Sequence, residues 1–163
     1  MSPARVAAFH DAVGELDYPM LIVTAASGKE RSGCLVGFAT QCSIDPPRFL
    51  VCISEKNHTY RVAAGSEFLG VHFLDRRDRP LSLLFGEQTG DETDKFDQCA
   101  WTERRGVPVL DSPAAWFVGR VLERVRLGDH VGHLLEPVEG KVRGRLDQLS
   151  FQQVKSMTPG HDA

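Results

Sequence analysis

The strongest constraint on this chain is the rhythm of its apolar runs. Short stretches rich in β-branched and aromatic residues follow one another, and each ends on a turn signal. Residues 20–26 stop at Ser27-Gly28-Lys29-Glu30, and the run 33–44, interrupted by Gly37, stops at Asp45-Pro46-Pro47. Residues 48–54 stop at Glu55-Lys56-Asn57-His58. Residues 68–74, 115–126 and 131–138 read as further strands, and 107–110 as a short edge strand. Such punctuation by Gly, Pro, Asn and Asp is the mark of a strand-rich chain. Helical patterning is limited to residues 4–16, with Val6, Phe9, Val13 and Leu16 on one face, and to the short segments 59–64 and 80–85. No long regular helices separate the strands. An antiparallel barrel or sandwich of about six or seven strands is therefore favoured over a parallel α/β fold.

Composition narrows the function. The 163 residues make one domain, 1–163, with an N-terminal helix within 1–17 and a polar, loosely held tail over 148–163. Nineteen Lys+Arg against 22 Asp+Glu give a net charge of −3. No basic surplus points to nucleic acid. No apolar run approaches the ~20 residues of a membrane span. The N-terminus lacks a basic start followed by an apolar core, so no secretory signal is expected and a cytoplasmic location is. The four cysteines, Cys34, Cys42, Cys52 and Cys99, show no C-x-x-C spacing and read as reduced thiols serving as small hydrophobes. Neither they nor the six histidines sit at metal-ligand spacing, and no metal is expected.

Nucleotide and nucleophile signatures are missing: there is no G-x-G-x-x-G, no phosphate loop and no G-x-S-x-G. Two stretches retain chemical interest. In 33–43, Gly33 and Gly37 let backbone come close to something flat or bulky, and amides freed at a distorted strand can hydrogen-bond a heterocycle. The plain alternative is a buried strand with a bulge. In Glu55-Lys56-Asn57-His58-Thr59, polar residues and a lysine precede a short helix, an arrangement suited to an anion such as phosphate. The plain alternative is an N-cap by Asn57 or Thr59.

The order of these pieces resembles the flavin reductase-like family. The matching residues are Gly33, Ser43, Asp45, Pro46 and Pro47, then Thr59, Phe68, Val71, Leu74, Phe85 and Gly86. Lys95-Phe96, Gly106, Pro108 and Gly128-Asp129-His130 complete the set. The resemblance implies a mainly β fold, an antiparallel split β-barrel with short peripheral helices of the FMN-binding split-barrel type. It implies a homodimer that binds FMN or FAD and uses NADH or NADPH to reduce it, an activity that can supply reduced flavin to a partner monooxygenase. Carried over by residue, Cys34, Leu35, Val36, Gly37, Gln41, Cys42 and Ser43 would line the isoalloxazine. Lys56, Asn57, His58 and Thr59 would hold the phosphate, and His72 and Phe73 would flank the flavin. His130 would stand on the nicotinamide side, as a positioner and the one candidate catalytic residue. The chain departs from the family pattern at Leu35 and Gly37, where hydroxyl or amide side chains are common, and at His58 and His72. The alternative is a non-catalytic FMN-binding electron carrier, or a split barrel holding a deazaflavin or haem.

Overall fold

The computed structural model describes residues 3–87 and 94–157. Nine strands follow in chain order: β1 (Leu21–Ser27), β2 (Glu30–Val36), β3 (Ala39–Ser43), β4 (Arg48–Ser54), β5 (Phe68–Phe73), β6 (Trp101–Arg104), β7 (Val107–Leu110), β8 (Ala115–Arg126) and β9 (His130–Val142). The helices are α1 (Pro3–Gly14), α2 (His58–Ala63), α3 (Arg79–Glu87) and α4 (Phe151–Val154), with 3₁₀ turns at Arg76–Asp78 and Lys95–Gln98. None of these helices is long and apolar enough to cross a membrane.

Seven strands form one antiparallel sheet in the order β2-β1-β5-β8-β9-β4-β3. Its outermost strands, β2 and β3, are consecutive in the chain and separated only by Gly37 and Phe38. Three Cα–Cα steps hold Val36 and Ala39 within about 11 Å of each other. A twisted sheet tethered this way has to curl until its ends meet. β2 accordingly comes into contact with β4 across the opening, where no strand pairing closes the gap. The result is the expected split barrel. The expected single run over 33–44 is two strands, because the chain changes from one sheet edge to the other at Gly37.

Alternation along β1 divides the core. Leu21, Val23 and Ala25 pack with Val36, Val51, Ile53, Leu69 and Val71. Their neighbour Ile22 packs on the other side with Leu74, Phe85, Phe96 and Leu149. All five residues from Leu21 to Ala25 are buried, so β1 is covered on both faces. That explains why its sequence reads as a continuous apolar run.

Several features differ from the sequence reading, each for a local reason. β6 was not anticipated, because Thr102, Glu103 and Arg104 are exposed and polar. It pairs with β7, which is an edge strand of this two-stranded sheet, as expected, yet is buried throughout. Strict alternation along β8 fails at a bulge. Val121 faces Leu135 while Glu123 faces Leu134, so Leu122 is left over and the two faces exchange. Arg124 then turns back and donates to the carbonyls of Ala63 (3.0 Å), the last residue of α2, and Ser66 (2.6 Å) just beyond it. The stripe of α1 exists but covers no core: Phe9 is 61% and Leu16 56% exposed. The tail is anchored over 148–157. Leu149 is buried and exchanges backbone hydrogen bonds with Met20 and Leu74, and Phe151 N–H donates to Tyr18. The remainder, 158–163, and residues 88–93 lie outside the described residues.

His72, expected on a strand flanking a cofactor, is not among the lining residues of the cavity described below. It is fully buried on β5, and its Nε2 accepts from the Leu110 N–H at 2.9 Å. Nδ1 therefore carries the proton and donates to the Ile22 carbonyl at 2.9 Å. The ring ties β1, β5 and β7 together. Burial pulls its pKa down from 6.5 to about 4, against the smaller opposing effect of the Ile22 carbonyl. Neutral His72 thus contributes stability that is complete above the unfolded pKa and is lost as pH falls from 6.5 towards about 4. Burial lowers the pKa of His133 too, which adds to the same trend. Urea unfolding at pH 7.5 and pH 5 should therefore show wild-type stability falling at the acid value. A His72→Leu variant should be less stable at pH 7.5, and its gap to wild type should shrink by about 2 kcal/mol at pH 5. A gap that is constant with pH would contradict a neutral buried imidazole.

Candidate functional site

The split between β2 and β4 opens into a cavity of about 300 Å³. Cys34, Leu35 and Val36 come from β2, and Cys52, Ile53 and Ser54 from β4. The Gly37-Phe38 link closes it on one side. Asn57 and His130 stand in its lining with Tyr18, Met20 and Phe151. The volume lies at the low end of the range for small-molecule sites, about 300–1,000 Å³. It suits a planar ring system and leaves a longer tail on the surface.

Gly33 and Gly37 do mark close approaches, but to the chain's own rings. A Cβ on Gly33 would lie 2.7 Å from Cε1 of Phe85 on α3, and one on Gly37 would lie 2.6 Å from Cε2 of Tyr18. Both contacts press an aromatic ring onto backbone beside the cavity. Lys95 adds a third constraint on β2. It is buried, and its ammonium donates to the carbonyls of Gly33 (3.2 Å) and Phe85 (3.0 Å). Burial lowers its pKa. The carbonyl immediately before Cys34 is thereby fixed in place.

The two cavity thiols are not nucleophiles. Burial pushes Cys34 up to about 11, outweighing the nearby positive charge of Lys95, and burial also raises Cys52. Both remain protonated near neutral pH and act as small apolar wall groups.

Polar groups gather around the turn after β4. Asn57 caps α2, its Oδ1 accepting from the Thr59 N–H at 2.9 Å. His130 donates from Nδ1 to the Asp129 carboxylate at 2.7 Å. That hydrogen bond is the main reason the Asp129 carboxyl is held below its ordinary range, with a smaller contribution from Lys56. The His130 ring also lies 5.0 Å from that of Phe38. Lys56 itself is exposed at the turn.

Of the expected site residues, Cys34, Leu35, Val36, Gly37, Asn57 and His130 line the cavity. Thr59 does not open onto it: the residue is fully buried, and its hydroxyl is hydrogen-bonded to that of Ser32 at 2.8 Å. His58 is held sideways. Its Nδ1 accepts from Arg61 at 2.8 Å, and its Nε2 donates to Glu30 at 2.6 Å. Gln41 and Cys42 are exposed on β3 and Ser43 is half-buried, all outside the cavity lining. Phe73 joins Phe49 and Phe117, with ring centroids 5.9 Å away in each case. Sequence reasoning missed Tyr18, Met20, Phe38, Cys52, Ile53, Ser54 and Phe151. Phe38 adjoins Gly37 and could have been read with it. Phe151 sits in a polar tail that carries no local signal of an anchor.

Comparison with known proteins identifies the family and the fold. The model of the family described as "Flavin reductase like domain" matches residues 13–158. "FMN reductase (NADH) RutF" of Bradyrhizobium diazoefficiens is 32% identical over 123 residues, which cover 75% of this chain and 68% of that protein. "Stachydrine N-demethylase reductase subunit Stc3" of Rhizobium meliloti is 27% identical over 129 residues, covering 76% of this chain and only 54% of the relative. The chain thus spans about half the length of that second relative. Among solved structures, a flavin reductase domain protein from Arthrobacter sp. FB24 superposes with a TM-score of 0.82 at 19% identity, covering 97% of this chain and 96% of that one. That likeness speaks to the fold. With the family match running over nearly the whole chain, the protein belongs to the flavin reductase-like family.

Proposed function

We propose that this chain is an NAD(P)H-dependent flavin reductase acting on FMN or FAD. One observation carries the reading: a member of this family holds a mostly apolar, ring-sized cavity in the split of its barrel, with polar groups at the turn beside it. Bound flavin would supply the redox chemistry by accepting hydride from the nicotinamide. The chain's residues bind and orient. Cys34, Leu35 and Val36 would hold the ring and keep water from it, and Gly37 would leave room for Tyr18 beside them. Asn57 and Lys56 would meet the phosphate end. His130, fixed by Asp129, would position the nicotinamide. No protein nucleophile is needed, which accords with two protonated cavity thiols.

The reading includes a homodimer and a partner enzyme. Phe9, Leu16, Ile44, Leu127 and Val142 are all more than half exposed, which favours a second copy as cover. A relative named as the reductase subunit of a demethylase supports delivery of reduced flavin to a partner monooxygenase. A cytoplasmic location fits the use of NAD(P)H.

The test is direct. Purified protein is mixed with NADH or NADPH and FMN, FAD or riboflavin, and pyridine-nucleotide absorbance is followed. Catalytic loss of absorbance is expected. A yellow protein that leaves the nicotinamide untouched would instead be an electron carrier.

The turn has its own prediction. Lys56→Ala should raise KM for FMN about fivefold while changing that for riboflavin little, because only FMN carries the phosphate. Thr59→Ala should lower the melting temperature and affect both flavins alike, since its hydroxyl faces Ser32. Selective loss of FMN in Thr59→Ala would contradict this geometry.

A further inference from the structure

Tyr18 is the centre of an aromatic rim along the cavity. Its ring stacks on Phe151, with centroids 4.7 Å apart and planes at 14°. It lies 6.4 Å from Phe38, which in turn lies 5.0 Å from His130. All four side chains line the cavity. The rim is built by segments far apart in the chain. Phe151 N–H donates to the Tyr18 carbonyl at 2.8 Å, and Gln152 N–H donates to Asp17 Oδ1 at 3.0 Å. The phenol ring is therefore clamped from its own backbone and by the stack on Phe151. It remains half-buried, so part of its surface stays open to the cavity. A ring already fixed in place loses little freedom when a second flat group meets it.

Gly37 is the other half of this arrangement. A Cβ there would stand 2.6 Å from Tyr18 Cε2, well inside contact distance. A side chain at position 37 and the Tyr18 ring compete for one volume. With the ring where it stands, a side chain at position 37 does not fit, and one of the two has to shift.

We propose that Tyr18, made possible by Gly37, is the residue that recognises the tricyclic ring of the flavin, independently of its tail. The proposal rests on the flavin reading above and adds which residue selects the ring. Contact with an aromatic surface does not depend on ribityl, phosphate or adenylate groups. Phe151 serves as a positioning residue that holds Tyr18 in place.

The experiment is equilibrium binding without NAD(P)H, read by quenching of ligand fluorescence. The probes are lumichrome, which has the ring and no tail, riboflavin and FMN. Tyr18→Ala should weaken all three by the same factor, about tenfold. Tyr18→Phe keeps the stack on Phe151 and should bind within about twofold of wild type. Gly37→Ala should weaken binding through displacement of the ring, yet cause little further loss in a Tyr18→Ala background, a strong coupling in a double-mutant cycle. Melting curves of each variant separate loss of fold from loss of contact, and Gly37→Ala and Tyr18→Phe keep the test open if Tyr18→Ala is unstable. Unchanged affinity in Tyr18→Ala, a loss confined to FMN, or additive effects at positions 18 and 37 would each overturn the proposal. Wild-type protein that binds none of the three probes would overturn the flavin reading itself, and this inference with it.

Discussion

Two residues, Gly37 and Phe38, hold the ends of the two outermost strands of the sheet within about 11 Å of each other. The strands they join pair with opposite ends of a seven-stranded order. No flat or open sheet satisfies both conditions. The sheet curls, and its edges approach without pairing. The Phe38 carbonyl accepts from the Cys52 N–H at 2.8 Å, which pins the link to β4. What remains between β2 and β4 is a gap walled by strand residues and rimmed by aromatic rings. The cavity is thus a consequence of the connection, not an addition to the fold.

That origin explains the character of the site. Its surfaces are strand termini, rings and protonated thiols, with Ser54, Asn57 and His130 among its polar groups. Among the described lining residues, neither thiol is activated as a nucleophile, and His130 is engaged by Asp129. A site of this kind suits chemistry supplied by a bound heterocycle, where the protein's task is to hold and to orient. Rigidity is supplied from behind. Phe85 presses on Gly33, Lys95 holds the Gly33 carbonyl, and Tyr18 presses on Gly37. Three residues outside the strand therefore set the position of the segment that would meet a ligand.

The sequence revealed what is local and concealed what is not. β4 and β8 have the boundaries that their turn signals and apolar content indicate, because Asp45-Pro46-Pro47 and Gly128-Asp129 end strands by backbone chemistry alone. Gly33 and Gly37 were legible as close approaches, but their partners were not. Phe85 and Tyr18 arrive from a separate helix and from the segment before β1, and no spacing rule announces them. The partner of His72 Nε2 lies 38 residues away, so a buried histidine on an apolar strand could pass for a ligand-facing one. The hydroxyl of Thr59 likewise turns inward to Ser32, which the turn's polarity does not indicate. α1 shows the limit of amphipathic patterning: the stripe is real, but periodicity says nothing of what covers it. In the tail, one buried leucine and one stacked phenylalanine outweigh the polar residues around them.

The most direct measurement is a crystal structure of the protein soaked or grown with FMN. The account predicts tricyclic density in the split between β2 and β4, in contact with Tyr18 and with the 34–37 segment. The phosphate should lie towards Lys56 and Asn57. A flavin ring lodged elsewhere, or a split that stays filled by Tyr18 and Phe151 at saturating FMN, would contradict it.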